Sequence, residues 1–462
     1  MTRLHSAGRQ TARALVAAVA LGTTVATAAA LAAPVMAEET APADPNSGAV
    51  AQLRQEIEAL KAQLQALQDR LESMAKAQLQ QPSLPVQEPP AQEPAPSAPR
   101  AAASAGNVFN PAISAVFQGI GDMSVNHNRD EDGFALSEAE IGLQAVVDPY
   151  ARVDLFVAFS AEGEAEVEEG YATFQTLPAG LQAKAGRFKS AFGKWNQLHN
   201  HAFFTVERPE VLSSFFGEES LTDDGASLSW LIPGTGSAYI ESVSEVGSTP
   251  NDVSFNARRR DLLYLQRLSS VFTLTPNATL EIGGSGAFGR GGPSETLLAA
   301  IDDAGLTGVV EPATSLTSNV FGADLTFKWK PVQFNVYRSA TWQTEALQSI
   351  RRVEDLDPTG VLVRRTVRSV GGYTYAEYQF AKRWRTGVRL DYTEFPDDDR
   401  ARVHGASGIV RVQPTEFQEF RLQFKHTGRN DLAAARFDDT RTDNEFLIEW
   451  IPVIGAHAAH KY

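Results

Sequence analysis

The 462-residue chain contains no cysteine. That excludes a disulfide framework and any thiolate metal site. Long apolar runs are missing too. Beyond the first forty residues, no stretch approaches the roughly 18 unbroken apolar residues of a membrane helix. Positive charge is in deficit, with 41 Lys and Arg against 56 Asp and Glu and a formal net charge of −15. The excess is spread along the chain, which argues against a nucleic-acid partner. No nucleophile elbow, Gly-rich phosphate loop or HExxH occurs. Asp and Glu are too numerous to single out a pair. No catalytic residue is assigned, no cofactor is required, and the chain is not read as an enzyme.

What is present is patterned. Toward the C-terminus every second residue runs Phe446, Ile448, Trp450, Pro452, Ile454, Ala456, Ala458, His460, Tyr462. The alternate set, Leu447, Glu449, Ile451, Val453, Gly455, His457, Ala459 and Lys461, is mixed. A period of two with one apolar face is a strand. A long amphipathic last strand ending on an aromatic residue suits a barrel whose final strand closes on its first and faces lipid.

The N-terminus agrees. Arg3, Arg9 and Arg13 precede an apolar stretch from Ala14 to about Ala33, and Val35-Met36-Ala37 is an A-x-A-like site. Residues 1–37 therefore read as a cleaved secretory signal. In residues 48–81, Val50, Leu53, Ile57, Leu60, Leu64, Leu67, Leu71 and Met74 alternate three and four apart. This is a coiled-coil pattern with apolar a and d positions. Glu56 falls at g and Lys61 at the following e. The core mixes β-branched and Leu residues and leaves strand number open. Residues 82–106 begin with Pro82, Pro85, Pro89, Pro90, Pro94, Pro96 and Pro99, a stiff polyproline-type linker.

Residues 107–462 read as an all-β domain, a transmembrane antiparallel barrel of about 16 strands. Seven short turns are marked by Asp148-Pro149, Pro178-Ala179-Gly180, Pro233-Gly234, Pro276-Asn277, Lys330-Pro331, Ala381-Lys382-Arg383 and Pro414-Thr415. Eight longer loops fall near 126–133, 161–167, 189–222, 247–259, 289–318, 343–368, 395–404 and 428–442. An even strand number puts both ends on one side, expected to be the periplasm, with the coiled coil there as a stalk. Strand faces alternate: Phe420, Leu422 and Phe424 oppose Glu419, Arg421, Gln423 and Lys425, and Val388 and Leu390 oppose Arg389 and Asp391. Charged residues face lipid only at high cost, so the second face should line a polar interior.

This architecture resembles the Gram-negative general outer-membrane porins. One stretch, Ala185-Gly186-Arg187-Phe188-Lys189-Ser190-Ala191-Phe192-Gly193, is similar to a strand-to-loop element of the phosphate-selective porin O and P group, with Ala191 where Pro would be expected. The resemblance implies passive diffusion of small hydrophilic solutes or ions in the bacterial outer membrane. It also implies lipid and lipopolysaccharide contact, a homo-oligomer with the trimer as leading form, and an infolded loop after the fifth strand. Segment 189–222 has that position and is rich in aromatics: Phe192, Trp195, Phe203, Phe204, Phe215 and Phe216. The expected constriction residues are Lys189, Lys194, Arg208, Glu218 and Glu219. The expected lumen-lining residues are Lys184, Lys328, Arg385, Arg389, Arg411, Arg421 and Lys425, a basic set that permits anion preference.

His199 and His201 share one side of an extended backbone, but sequence places no third ligand, so no metal is assigned. His457 and His460 would lie on opposite faces of a strand. Arg258-Arg259-Arg260 and Arg351-Arg352 read as solvated charge in external loops. Two other classes compete. One is an outer-membrane receptor or transporter for a metal or small nutrient, which needs a plug and about 22 strands. The other is a barrel that anchors a periplasmic coiled-coil envelope tether. The heptads make a direct prediction. A peptide of residues 48–80 should self-associate in sedimentation experiments, and Asp at both Leu60 and Leu64 should return it to monomer. A wild-type peptide that stays monomeric at high concentration removes the stalk.

Overall fold

A computed structural model describes residues 111–124, 133–161, 163–218, 220–233, 238–249, 251, 253–256 and 258–455. The signal, coiled-coil and linker assignments lie outside the described residues, as do residues 456–462. The described strands are β1 (Ala112–Ser124), β2 (Gly133–Val146), β3 (Ala151–Ser160), β4 (Ala165–Phe174), β5 (Leu181–Lys189), β6 (Thr222–Ile232), β7 (Ala238–Ser248) and β8 (Leu263–Thr275). They continue as β9 (Ala278–Gly291), β10 (Leu316–Trp329), β11 (Ser339–Leu356), β12 (Leu362–Ala381), β13 (Trp384–Glu394), β14 (Arg402–Thr415), β15 (Gln418–Arg429) and β16 (Thr442–Gly455). Each pairs antiparallel with the next, and β1 pairs with β16, so the sheet closes. Closure leaves no strand edge unpaired. The expected strand number is met, and it differs from the 22 that a plugged receptor would need.

The closing pair sets Gly119 against Trp450 and Gly121 against Ile448. Alternation then sorts the side chains. Phe321, Val388, Phe424, Phe446 and Trp450 are exposed on the outside, whereas Asp324, Arg389, Asp391, Arg421, Gln423 and Glu449 are buried inside. This inverts a soluble protein and leaves an outer apolar belt far larger than a soluble surface tolerates. Exposed aromatics sit at both ends of the belt. Phe174, Tyr239, Phe380, Trp384 and Phe417 lie by the short turns, and Phe134, Tyr264, Phe288 and Phe446 lie toward the long loops.

The expected short connections fall at or beside the named turn residues, but the one opened by Lys330-Pro331 extends over residues 330–338, and Pro414-Thr415 end β14 just ahead of its turn. The segment near 343–368 departs from expectation. Its expected long loop is instead the body of β11 and β12, 18 and 20 residues long, joined by residues 357–361. Arg351 and Arg352 therefore belong to a strand. Arg351 is buried and donates to the carbonyls of Val253 and Gly292, tying two neighbouring loops to this hairpin. The many Arg, Glu and Asp of 351–368 look like loop composition, but they pair across the hairpin, as Arg364 does with Glu354 at 2.8 Å. Three helices are described outside the sheet: α1 (Glu210–Phe216), α2 (Glu295–Asp303) and α3 (Asp431–Ala434). Only α1 belongs to the segment after β5.

Candidate functional site

Residues 190–221, between β5 and β6, fold against the inner wall. The chain turns at Gly193, where φ is +59° and an added Cβ would collide with the Glu345 carboxylate. Only glycine serves there. A 3₁₀ turn spans Asn200–Ala202, and α1 follows Pro209 and stops at Gly217, whose φ is 75°. Phe192, Trp195, Leu198, Phe203, Val211, Leu212, Phe215 and Phe216 form one apolar cluster with wall residues Leu263, Leu265, Val320, Leu347, Tyr373 and Tyr375. Trp195 meets Tyr373 edge-on with ring centroids 5.4 Å apart, and Phe204 stacks on Tyr375 at 5.4 Å. Such pairs add about 0.5–1.5 kcal/mol each beyond the area they bury. Gly322 of β10 makes room: a Cβ there would come within 2.8 Å of the Phe192 ring.

A chain carried into this interior must satisfy its backbone polar groups. The incoming half meets wall acceptors. Glu169 accepts from Lys189 N at 2.7 Å, Glu245 from Ala191 N at 2.9 Å, and Ser285 Oγ from Gly193 N at 3.1 Å. Glu345 accepts from both Lys194 N and Trp195 N at 2.9 Å. Residues 201–210 meet wall cations, and Asp391 accepts from Glu210 N at 3.3 Å. Arg389 donates to the carbonyls of Glu207 at 2.6 Å and Arg208 at 3.2 Å. Arg421 donates to His201 O, and Lys425 lies 2.6 Å from Glu207 and 2.8 Å from Glu210. Burial alone would raise the Glu210 pKa. The Lys425 ammonium, helped by Arg389 and Arg429, outweighs it and holds that carboxyl below its usual range.

The expected constriction residues are placed as follows. Lys189 is buried against Glu168 at 3.2 Å, and Lys194 pairs with Glu281 at 2.8 Å. Arg208 turns back on its own segment, donating to the carbonyls of Gly217 and Glu218 and to Ser220 Oγ. Glu218 is exposed, and Glu219 lies outside the described residues. Among the expected lumen residues, Lys184 lies over the Tyr171 ring at 4.2 Å, and Lys328 is half-buried. Register sets Arg385 opposite Arg411, Arg411 opposite Arg421, and Arg421 opposite Glu449. Carboxylates interleave this row. Glu377 lies 3.9 Å from Arg385 and 2.9 Å from Arg411, and Glu419 lies 2.9 Å from Arg411 and 2.7 Å from Arg421.

Sequence reasoning missed Glu169, Glu245 and Glu345, the acceptors for the incoming half. Alternation around Glu345 is regular, with Gln343, Glu345, Leu347 and Ser349 all buried, and that was the available signal. The histidines also acquire neighbours from distant strands. His199 Nδ1 lies 2.7 Å from Glu140 and 2.9 Å from Glu168, and its Nε2 lies 2.9 Å from Glu169. His201 Nδ1 lies 3.7 Å from Glu140.

No family model matches the chain. It is 31% identical over 377 residues to an uncharacterized protein of Aquifex aeolicus, across 76% of this chain and 74% of that one. Among solved structures it is similar to the outer membrane protein OmpT of Vibrio cholerae, with a TM-score of 0.46 and 10% identity over 75% of this chain and all of that one. It is also similar to an anion-selective porin from Comamonas acidovorans, with a TM-score of 0.47 and 8% identity over 75% of this chain and 99% of that one.

Two outcomes follow from the docking geometry. Glu345→Ala strands two backbone donors, at about 1–3 kcal/mol for each donor. It should lower resistance to denaturant and speed hydrogen exchange at residues 193–196. Glu281→Ala, at a partly exposed pair, should cost under about 1 kcal/mol. Equal effects would show that Glu345 does not hold the turn. The second outcome concerns acid. A carboxyl with a depressed folded pKa stabilises above its unfolded value, and that stability is lost as pH falls through the folded one. Below about pH 4, near the ordinary glutamate value, amides of 210–216 should exchange faster after correction for intrinsic rates. Unchanged protection removes Glu210 from the docking contacts.

Proposed function

We propose that this chain, which belongs to the same family as the Aquifex aeolicus protein, is an outer-membrane porin that admits small hydrophilic solutes or ions by passive diffusion. The observation that carries this is the closed sheet with an apolar, aromatic-rimmed exterior and a charged interior. Lipid is the medium that covers such an exterior, and water-borne solutes are the cargo that suits such an interior. Residues 190–221 then narrow the lumen, and Lys194, Glu281, Lys328 and Arg385, all incompletely buried, present charge to the solute. The basic residues favour a mild anion preference, in keeping with the resemblance of 185–193 to phosphate-selective porins. The N-terminal heptads would make the protein a homo-oligomer, with the trimer as the leading form, and hold a stalk in the periplasm. Lipopolysaccharide phosphates are natural contacts for the arginines of the outer rim.

The segment meets wall residues from β4 round to β15, and this supports a second reading in which it acts as a gate. Planar bilayers test both. The wild type should conduct, and deletion of 196–214 should raise single-channel conductance. Lys194→Glu should move the reversal potential toward cations, with the effect shrinking near 1 M salt, where the Debye length is about 3 Å. A silent wild type with a conducting deletion would favour the gate. Silence from both, in several salts, would sink the channel itself.

A further inference from the structure

We propose that Glu138, Glu140 and His201 form a site for a divalent transition-metal ion that fastens the infolded segment to β2. Glu138 and Glu140 are two apart on β2 and so project from the same face of the strand. The segment after β5 brings His201 to them. One donor atom from each of the three lies within 4.8 Å of the others. Bonds to zinc from carboxylate oxygen and imidazole nitrogen are about 2.0–2.2 Å, so a small contraction would complete three ligands.

An independent observation points to a ligand here. Glu140 is 1% exposed, yet its Oε1 has no hydrogen-bond partner among the described residues. A carboxylate oxygen buried without a donor is costly and calls for a cation. Glu138 Oε1 is in the same condition, while Glu138 Oε2 accepts from Asn200 Nδ2 at 2.9 Å and is thereby aimed. Two carboxylates and a neutral imidazole carry two negative charges, matching a divalent ion. The donors are nitrogen and oxygen with no thiolate, which suits zinc, manganese, iron or cobalt rather than copper(I).

Nearby cations are already engaged. Lys189 sits on Glu168 at 3.2 Å, and His199 is shared among Glu140 Oε2 at 2.7 Å and Glu168 and Glu169 at 2.9 Å, which leaves Glu140 Oε1 open. That makes the alternative trio of Glu140, Glu168 and His199 the poorer site. It leaves His199 beside Glu140 as a group that orients the ligand. The bond would run from a loop residue to a wall residue sixty positions earlier. Metal would then stabilise the docked segment by mass action.

The test uses the full-length mature protein, without a polyhistidine tag, folded in detergent. Co²⁺ is titrated and its visible d–d absorption followed, with Zn²⁺ as competitor. One Co²⁺ per barrel is expected, displaced by Zn²⁺, with slower exchange of amides 199–203 when Zn²⁺ is present. Glu138→Gln and His201→Asn should each weaken Co²⁺ at least about tenfold, while exposed His404→Asn should not. Heat-modifiable gel mobility reports that each barrel is folded. Glu138 is only half-buried, so its glutamine variant should keep the fold. A folded wild type that takes up no Co²⁺ or Zn²⁺ overturns the proposal. So does binding that survives in Glu138→Gln and His201→Asn but is lost in His199→Asn.

Discussion

Everything inside this barrel depends on one requirement: a chain segment carried into the interior must leave no peptide group without a partner. Strand backbone is satisfied by the ladder, but residues 190–221 have almost none of it. The wall therefore supplies side chains, and it supplies them by sign. Carboxylates of β4, β7 and β11 take N–H groups of residues 189–195, and cations of β13 and β15 take carbonyls of residues 201–208, with Asp391 of β13 accepting from Glu210 N. Charged partners make shorter, stronger hydrogen bonds than neutral ones. The aromatic cluster adds burial, and the wall charges set the path of the segment across the interior.

The same requirement accounts for the arginine row. Arg385, Arg411 and Arg421 are opposed in register on three neighbouring strands, where like charges repel. Glu377, Glu419 and Glu449 fall between or beside them, and Gln118 donates to Glu449 at 2.8 Å across the closing seam. Removing one partner from a buried pair of this kind typically costs about 3–5 kcal/mol. The row thus runs through the closure of the barrel, from β12 to β1.

Much of this was legible in the sequence, and the reason is period. Alternation is local, so the inward parity of Arg421, Lys425, Arg389 and Asp391 could be read one strand at a time. Turn chemistry is local as well: six of the seven turn signals carry a proline, and the seventh is Ala381-Lys382-Arg383 between β12 and β13. The β11–β12 hairpin defeated the same logic. Its upper half carries charge on both faces, because a strand rising beyond the apolar belt has no lipid to exclude charge from its outside, and charged composition there resembles a loop. That misreading hid Glu345, the acceptor for the turn at Gly193. The histidine neighbours were hidden for a different reason. Glu138 and Glu140 precede His201 by some sixty residues, and only strand register and the path of the loop bring them together.

A wall whose charges hold a loop cannot also spend them freely on solutes. Arg389, Arg421 and Lys425 are buried, and each is bonded to the segment or to an interleaved carboxylate. Counting basic residues on the inner face therefore overstates its field. The charges that still act at a distance are those left partly in contact with solvent, and they are mixed: Lys194 beside Glu281, with Lys328 near both, and Arg385 near Glu377. Paired opposite charges orient dipoles more strongly than they sort ions by sign. Under the proposed porin function, selectivity would rest on the size of the gap the segment leaves and on solute polarity, with net anion preference a smaller effect.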